Sequence, residues 1–91
     1  MELWIRSQDK EVLTRVVDIW KDADKNEIWS KSSFATKNCL GMYKTKERAI
    51  EVVDEIQNFM RNYAYAKKTN RLGEEIDLIP KPILIYNMPK N

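Results

Sequence analysis

Between Thr45 and Ala66 the chain reads TKERAIEVVDEIQNFMRNYAYA, and no other stretch limits the possible folds as much. Ala49, Val52, Val53, Ile56, Phe59, Met60 and Tyr63 follow at i, i+3, i+4, i+7, i+10, i+11 and i+14, a spacing that aligns side chains on one face of an α-helix. Glu47, Glu51, Asp54, Glu55, Asn58 and Arg61 occupy the other face. The spacing therefore predicts an amphipathic helix over 45–66, whose apolar stripe must lie on a sheet or on a second helix. Thr45 is placed to cap it, its hydroxyl accepting from a free amide of the first turn, with Glu47 near the positive end of the helix dipole. About twenty residues at ~1.5 Å each span ~30 Å, enough to cross a four- or five-stranded sheet. The segment is too polar to cross a membrane.

A chain of 91 residues is one domain by size, and it buries only about 60–65% of the surface that its unfolded form exposes. Sixteen Lys and Arg against fourteen Asp and Glu give a net charge of +2, too balanced for a chain dedicated to coating phosphate backbones. The single cysteine, Cys39, has no internal disulfide partner. No leader or membrane span is evident, and a cytoplasmic setting is expected.

Strands are expected near 2–6, 11–20, 27–31, 38–43 and 82–87. Leu3-Trp4-Ile5 opens with β-favouring residues and Ser7-Gln8-Asp9-Lys10 reverses the chain. Val12 to Trp20 is β-rich, but Arg15 and Asp18 stand three apart, so no single alternation turns both outward; either a bulge shifts the register or both faces are partly covered. Asp22 to Asn26 reads as the turn of a hairpin returning through Glu27-Ile28-Trp29-Ser30. Residues 31–38 read as a loop or a ragged edge with an exposed Phe34, and Gly41 in the next strand suggests a bulge or a close backbone approach. After the helix, which frays into Lys67-Lys68, a turn covers 69–73. A short strand at 74–79 is interrupted by Pro80 and Pro82. Ile83-Leu84-Ile85-Tyr86 is apolar on both sides and is placed inside the sheet. The expected architecture is α+β: an antiparallel four- to five-stranded sheet in the order ββββαβ, with the helix packed on one face.

Several chemistries lack their parts. There is no histidine, which removes the commonest general base and metal ligand. Asp22-x-Asp24-x-Asn26 starts like a calcium loop, but Glu27 stands where its glycine is required and Ser33 where its glutamate is required, so a plain turn is the better reading. Cys39 and the serines have no base to activate them, and Cys39 reads as a small core residue. The carboxylates of the helix read as a solvated face. No glycine-rich phosphate loop exists, Gly41 and Gly73 being the only glycines, and neither a catalytic residue, a metal nor a cofactor is expected.

Aromatic residues do alternate with bases: Trp4 with Arg6, Arg15 with Trp20, Trp29 with Lys31, and Tyr43 with Lys44 and Arg48. If Leu3 and Ile5 face the helix, Trp4 and Arg6 face the opposite side of the sheet. A ring beside a cation suits a stacked base above a phosphate, and equally a protein hot spot or a homodimer interface. Trp4, Arg6, Trp20, Trp29, Tyr43, Lys44 and Arg48 are therefore the candidate ligand-binding residues. Aromatics left bare on the sheet predict a homodimer or a larger ring.

At Ile5-Arg6-Ser7-Gln8-Asp9-Lys10, at Leu40 to Ala49, at Val53-Asp54-Glu55-Ile56-Gln57 and at Tyr86-Asn87-Met88-Pro89 the chain resembles a family of small proteins. They are encoded in phages and prophages of Gram-positive bacteria. The resemblance implies a context in which small non-enzymatic proteins antagonise host immunity. They do so by sequestering a nucleotide signal inside a homo-oligomer or by binding a defence protein directly. A third expectation, a DNA-binding regulator, needs a basic surface that +2 hardly supplies.

Overall fold

The computed structural model of the protein describes residues 2–63, 67–69, 75–77 and 83–91. Its elements are β1 (Glu2–Arg6), β2 (Leu13–Val16), β3 (Asp18–Lys21), β4 (Glu27–Lys31), β5 (Lys37–Met42), α1 (Lys46–Tyr63), β6 (Lys67–Thr69), β7 (Glu75–Asp77) and β8 (Ile83–Asn87). The chain is α+β. The expectations for the side chain of Tyr63, for helix residues 64–66, for the turn at 70–73 and for Pro80 and Pro82 lie outside the described residues. Lys67 and Lys68, expected as the frayed helix end, belong to β6, which pairs antiparallel with β7.

The single antiparallel sheet is corrected to two three-stranded sheets, β2-β1-β8 and β3-β4-β5, beside the β6-β7 ribbon. The cause lies in the run from Val12 to Trp20. Arg15 and Asp18 could not both face solvent in one continuous register, and the chain resolves the conflict by breaking between β2 and β3 at Val17. Beyond the break the backbone has joined the other sheet, with the Val17 amide donating to the carbonyl of Lys31 at 2.9 Å. One run thus passes from sheet to sheet through a bend. The sheets meet a second time where the Gln8 amide donates to the Leu40 carbonyl at 2.7 Å.

The pairing of β1 with β8 is parallel, in the register Glu2↔Ile83 to Arg6↔Asn87, whereas β1 pairs antiparallel with β2. A parallel partner needs a long crossover, and here everything from β2 to β7 intervenes. The last strand is also not interior: β8 stands at the edge of its sheet, with Ile83 and Ile85 about half exposed at 53% and 54%. Its apolar run is continuous because Leu84 faces the core while Ile83 and Ile85 face away from it.

Alternation sets the core. Leu3 and Ile5 of β1, Ile28 of β4 and Leu84 of β8 are buried, and they meet Ala49, Val52 and Ile56 of α1 in one cluster. Val53, Phe59 and Met60 pack against it partly buried, so the helical stripe is the one the spacing predicts. The helix rests on β3, β4 and β8 and so bridges the two sheets. Its cap is as expected, the Arg48 amide donating to Thr45 Oγ1 at 3.0 Å. The turn after β3 joins an antiparallel hairpin, as predicted, with the Asp24 amide bonded to the Asp22 side chain at 2.9 Å.

Gly41 marks both features that its position suggested. The β4–β5 register shifts between Ile28, opposite Gly41, and Trp29, opposite Cys39. Leu40 is the extra residue of this bulge and turns into the core at 1% exposure. Cys39 is thereby sent outward and is exposed, which corrects its assignment to the core.

Candidate functional site

The seven candidate residues do not form one site; the fold distributes them over three places. Tyr43, Lys44 and Arg48 come together where β5 runs into the helix. With Gln8, Met42, Lys90 and Asn91 they line a cleft of about 450 Å³. Trp4 and Arg6 lie on the outer face of β2-β1-β8, and Trp20 and Trp29 lie opposite each other across β3 and β4. Arg15 and Trp20, adjacent in the pattern, are separated by the break at Val17 into different sheets.

In the first cleft the aromatic member is a pillar. Tyr43 is 6% exposed and donates its hydroxyl hydrogen to the Pro89 carbonyl at 2.8 Å. Burial, chiefly, pushes its phenol up to about 12. Arg48 stands with its guanidinium carbon 6.0 Å from the Tyr43 ring centre, a cation–π distance. Its Nη1 donates to Glu55 at 2.9 Å and to Glu51 at 3.3 Å, and its Nε donates to the main-chain oxygen of Asn91 at 3.0 Å. The Glu55 hydrogen bond is the main reason its pKa is held above the ordinary arginine value. Glu55 also accepts from the Tyr86 hydroxyl at 3.3 Å, and burial first, then Glu55, pushes Tyr86 up to about 12.

Lys44 and Lys90 are different: both are exposed, and neither ammonium has an acidic partner among the described residues. No lining side chain is acidic. Met42, 62% exposed, adds an apolar wall, and Gln8 fixes the floor by donating to the Lys90 carbonyl at 2.7 Å while accepting from the Met42 amide at 2.8 Å. Sequence reasoning missed Lys90 and Gln8, since only the fold carries those two segments to β5.

On the outer face Trp4 donates its indole N–H to Glu2 at 3.1 Å, and the other oxygen of Glu2 pairs with Arg15 at 3.2 Å. Arg6 does not join them; its Nε donates to the Lys10 carbonyl at 3.0 Å, bracing a turn in which Lys10 adopts φ 68°. A second cleft, about 390 Å³, runs between Trp4 and the loop after β4, where Phe34 is 90% exposed. The polar loop around Phe34 carried that signal in the sequence. Trp20 and Trp29 are partly buried side by side, and the Trp29 indole N–H is buried without a hydrogen-bond partner among the described residues. Beside them the exposed Cys39 is only partly screened from water, and that partial desolvation is the main cause pushing its thiol up, which disfavours the nucleophilic thiolate. Among the described residues no helix is long and apolar enough to cross a membrane.

Comparison with known proteins gives no match to a family model, to a characterised relative or to a solved structure.

Proposed function

We propose that the protein is a non-enzymatic binding protein that captures a small anion of nucleotide class in the cleft of Tyr43, Lys44, Arg48 and Lys90. One observation carries the reading: three cationic side chains border this cleft and no acidic side chain does. Two of the cations, Lys44 and Lys90, are free to pair with phosphate. Met42 and the edge of Tyr43 offer apolar surface to a base, and a volume of about 450 Å³ is in the range of small-ligand sites. With the resemblance to phage-encoded proteins, this supports an anti-defence role in which a nucleotide immune signal is withdrawn from the host cytoplasm.

Calorimetric titration of the purified chain with mono-, di- and cyclic nucleotides tests it. Binding that drops about tenfold or more, a loss of two charge-assisted contacts, in the Lys44→Glu/Lys90→Glu variant is the expected result. No heat with any nucleotide at millimolar concentration overturns the reading.

A second reading, direct binding of a host defence protein, is favoured by a separate observation. The outer face of β2-β1-β8 leaves Leu13, Ile83 and Ile85 about half exposed on the strands either side of Trp4, and exposed apolar groups grouped on one face mark interaction surfaces.

A further inference from the structure

We infer that the outer face of β2-β1-β8 is a two-fold interface, covered by the same face of a second copy of this chain. The inference does not rest on nucleotide capture, which uses a different cleft.

The first ground is the composition of the face. Strand register places Ile85 beside Trp4 and Trp4 beside Arg15 in one row, and Ile83 beside Glu2 in the next. All of these project away from the core-facing Leu3, Ile5 and Leu84, because side chains alternate along a strand. Ile83 is 53% and Ile85 54% exposed on β8, and Leu13, 47% exposed, stands opposite Arg6 on β2, so exposed apolar side chains flank Trp4 on both neighbouring strands.

The second ground is Phe34. It is 90% exposed, yet its loop is held by four hydrogen bonds. Ser32 Oγ accepts from the amides of Phe34 and Thr36, the Ala35 amide donates to the Ser32 carbonyl, and the Ser32 amide donates to the Thr36 carbonyl. A large ring is thus fixed in the open at the rim of the cleft that Trp4 and Leu13 also line. A projecting ring and an apolar patch on one surface are self-complementary, as an isologous interface requires.

The third ground is charge, and it selects a second copy over an unrelated partner. On β1, Glu2 and Arg6 project from the same face as Trp4, two residues to either side of it. Aligned sheets pack face to face about 10 Å apart. When β1 lies antiparallel over the β1 of its mate with Trp4 at the centre, Glu2 of each chain meets Arg6 of the other. Arg6 has no acidic partner among the described residues, and the mate's Glu2, which within its own chain also holds Trp4 and Arg15, supplies one.

The test is sedimentation equilibrium of the full chain at roughly 1–100 µM, with circular dichroism to establish that each variant is folded. A dimer is expected for the natural sequence. Phe34→Ser, at a loop tip outside the core, and Ile85→Glu should each weaken it about tenfold or more. Arg6→Glu should weaken it as well, and adding Glu2→Arg to that variant should restore it in part. A species of 10.8 kDa across the whole range overturns the inference, as does a dimer indifferent to both Phe34→Ser and Ile85→Glu. A monomer that forms a complex with a host protein through Ile85 also overturns it, and moves the face to the second functional reading. A monomer that still binds nucleotide removes this inference alone, and a dimer that binds none removes only the proposed ligand.

Discussion

The Tyr43 hydroxyl lies 2.8 Å from the carbonyl oxygen of Pro89 and donates to it, tying the end of β5 to the segment that follows β8. The bond requires a neutral phenol, and burial already disfavours the phenolate. The folded-state value is pushed from 10 up to about 12. Below pH 10 the folded and unfolded chains both hold this proton; between pH 10 and 12 the unfolded chain has lost it and the folded chain has not. Stability should therefore fall as pH rises through that window. Tyr86, also raised to about 12, acts in the same direction. Ultraviolet titration of tyrosinate should show a late-ionising fraction that Tyr43→Phe and Tyr86→Phe each reduce. An ordinary titration near 10 for all tyrosines would contradict the buried geometry.

Gly41→Ala should be destabilising. A Cβ at this position would lie 3.1 Å from the Tyr43 hydroxyl and 3.2 Å from both Cβ and Oε1 of Gln8. Neither neighbour can easily yield: Tyr43 is held by Pro89, and the Gln8 side chain is held at one end by Met42 and at the other by Lys90. An overpacking cost of ~1–3 kcal/mol is expected in urea unfolding. An unchanged midpoint would show that this latch is slack.

The helix offers two graded changes. Thr45→Ala removes the acceptor for the Arg48 amide and should cost ~1 kcal/mol. Ile56→Asp places a carboxylate at a position 1% exposed within the cluster shared with Ile5 and Leu84, and it should abolish cooperative unfolding altogether. A folded Ile56→Asp protein would mean that the helix does not seal the core.

Trp4→Ala should leave the fold intact, since Trp4 faces away from the core, and it should leave the affinity for anions at the Lys44 cleft unchanged. Its effect belongs to the other face, where dimer strength should fall. Loss of anion binding in this variant would place the ligand beside Trp4 and refute the site assignment.

How much of this was legible in the sequence can be read from particular residues. Thr45, Val52 and Ile56 announce the helix because a 3.6-residue period has a single geometric solution. The conflict between Arg15 and Asp18 announced an irregularity, but a break that sends β2 and β3 into different sheets looks, in one dimension, the same as a bulge within one strand. Parity puts Trp4 and Arg6 on the face opposite Leu3 and Ile5, with some of Trp20 and Trp29 expected beside them, yet parity cannot say that there are two sheets and hence two separate faces. Apolar character at Ile83 and Ile85 suggested burial; the pattern of a two-sided buried strand and that of an edge strand with one sticky face coincide. The direction of β8 relative to β1 has no local signal, and Lys90 could not be assigned to the cleft without it.

The pairing of β1 with β8 has a consequence for synthesis. As the chain leaves the ribosome, β1 emerges well ahead of its parallel neighbour, which begins at Ile83 and follows some eighty positions later in the register Glu2↔Ile83. For all that interval Leu3 and Ile5 lack the strand that places Leu84 beside them in the core. Contacts so remote along the chain form slowly, and the exposed edge of β1 is meanwhile open to the matching edge of another nascent copy. Polysomes making this protein hold many such edges close together, so the same topology that closes the core once β8 has emerged makes misassembly between neighbours a hazard before it.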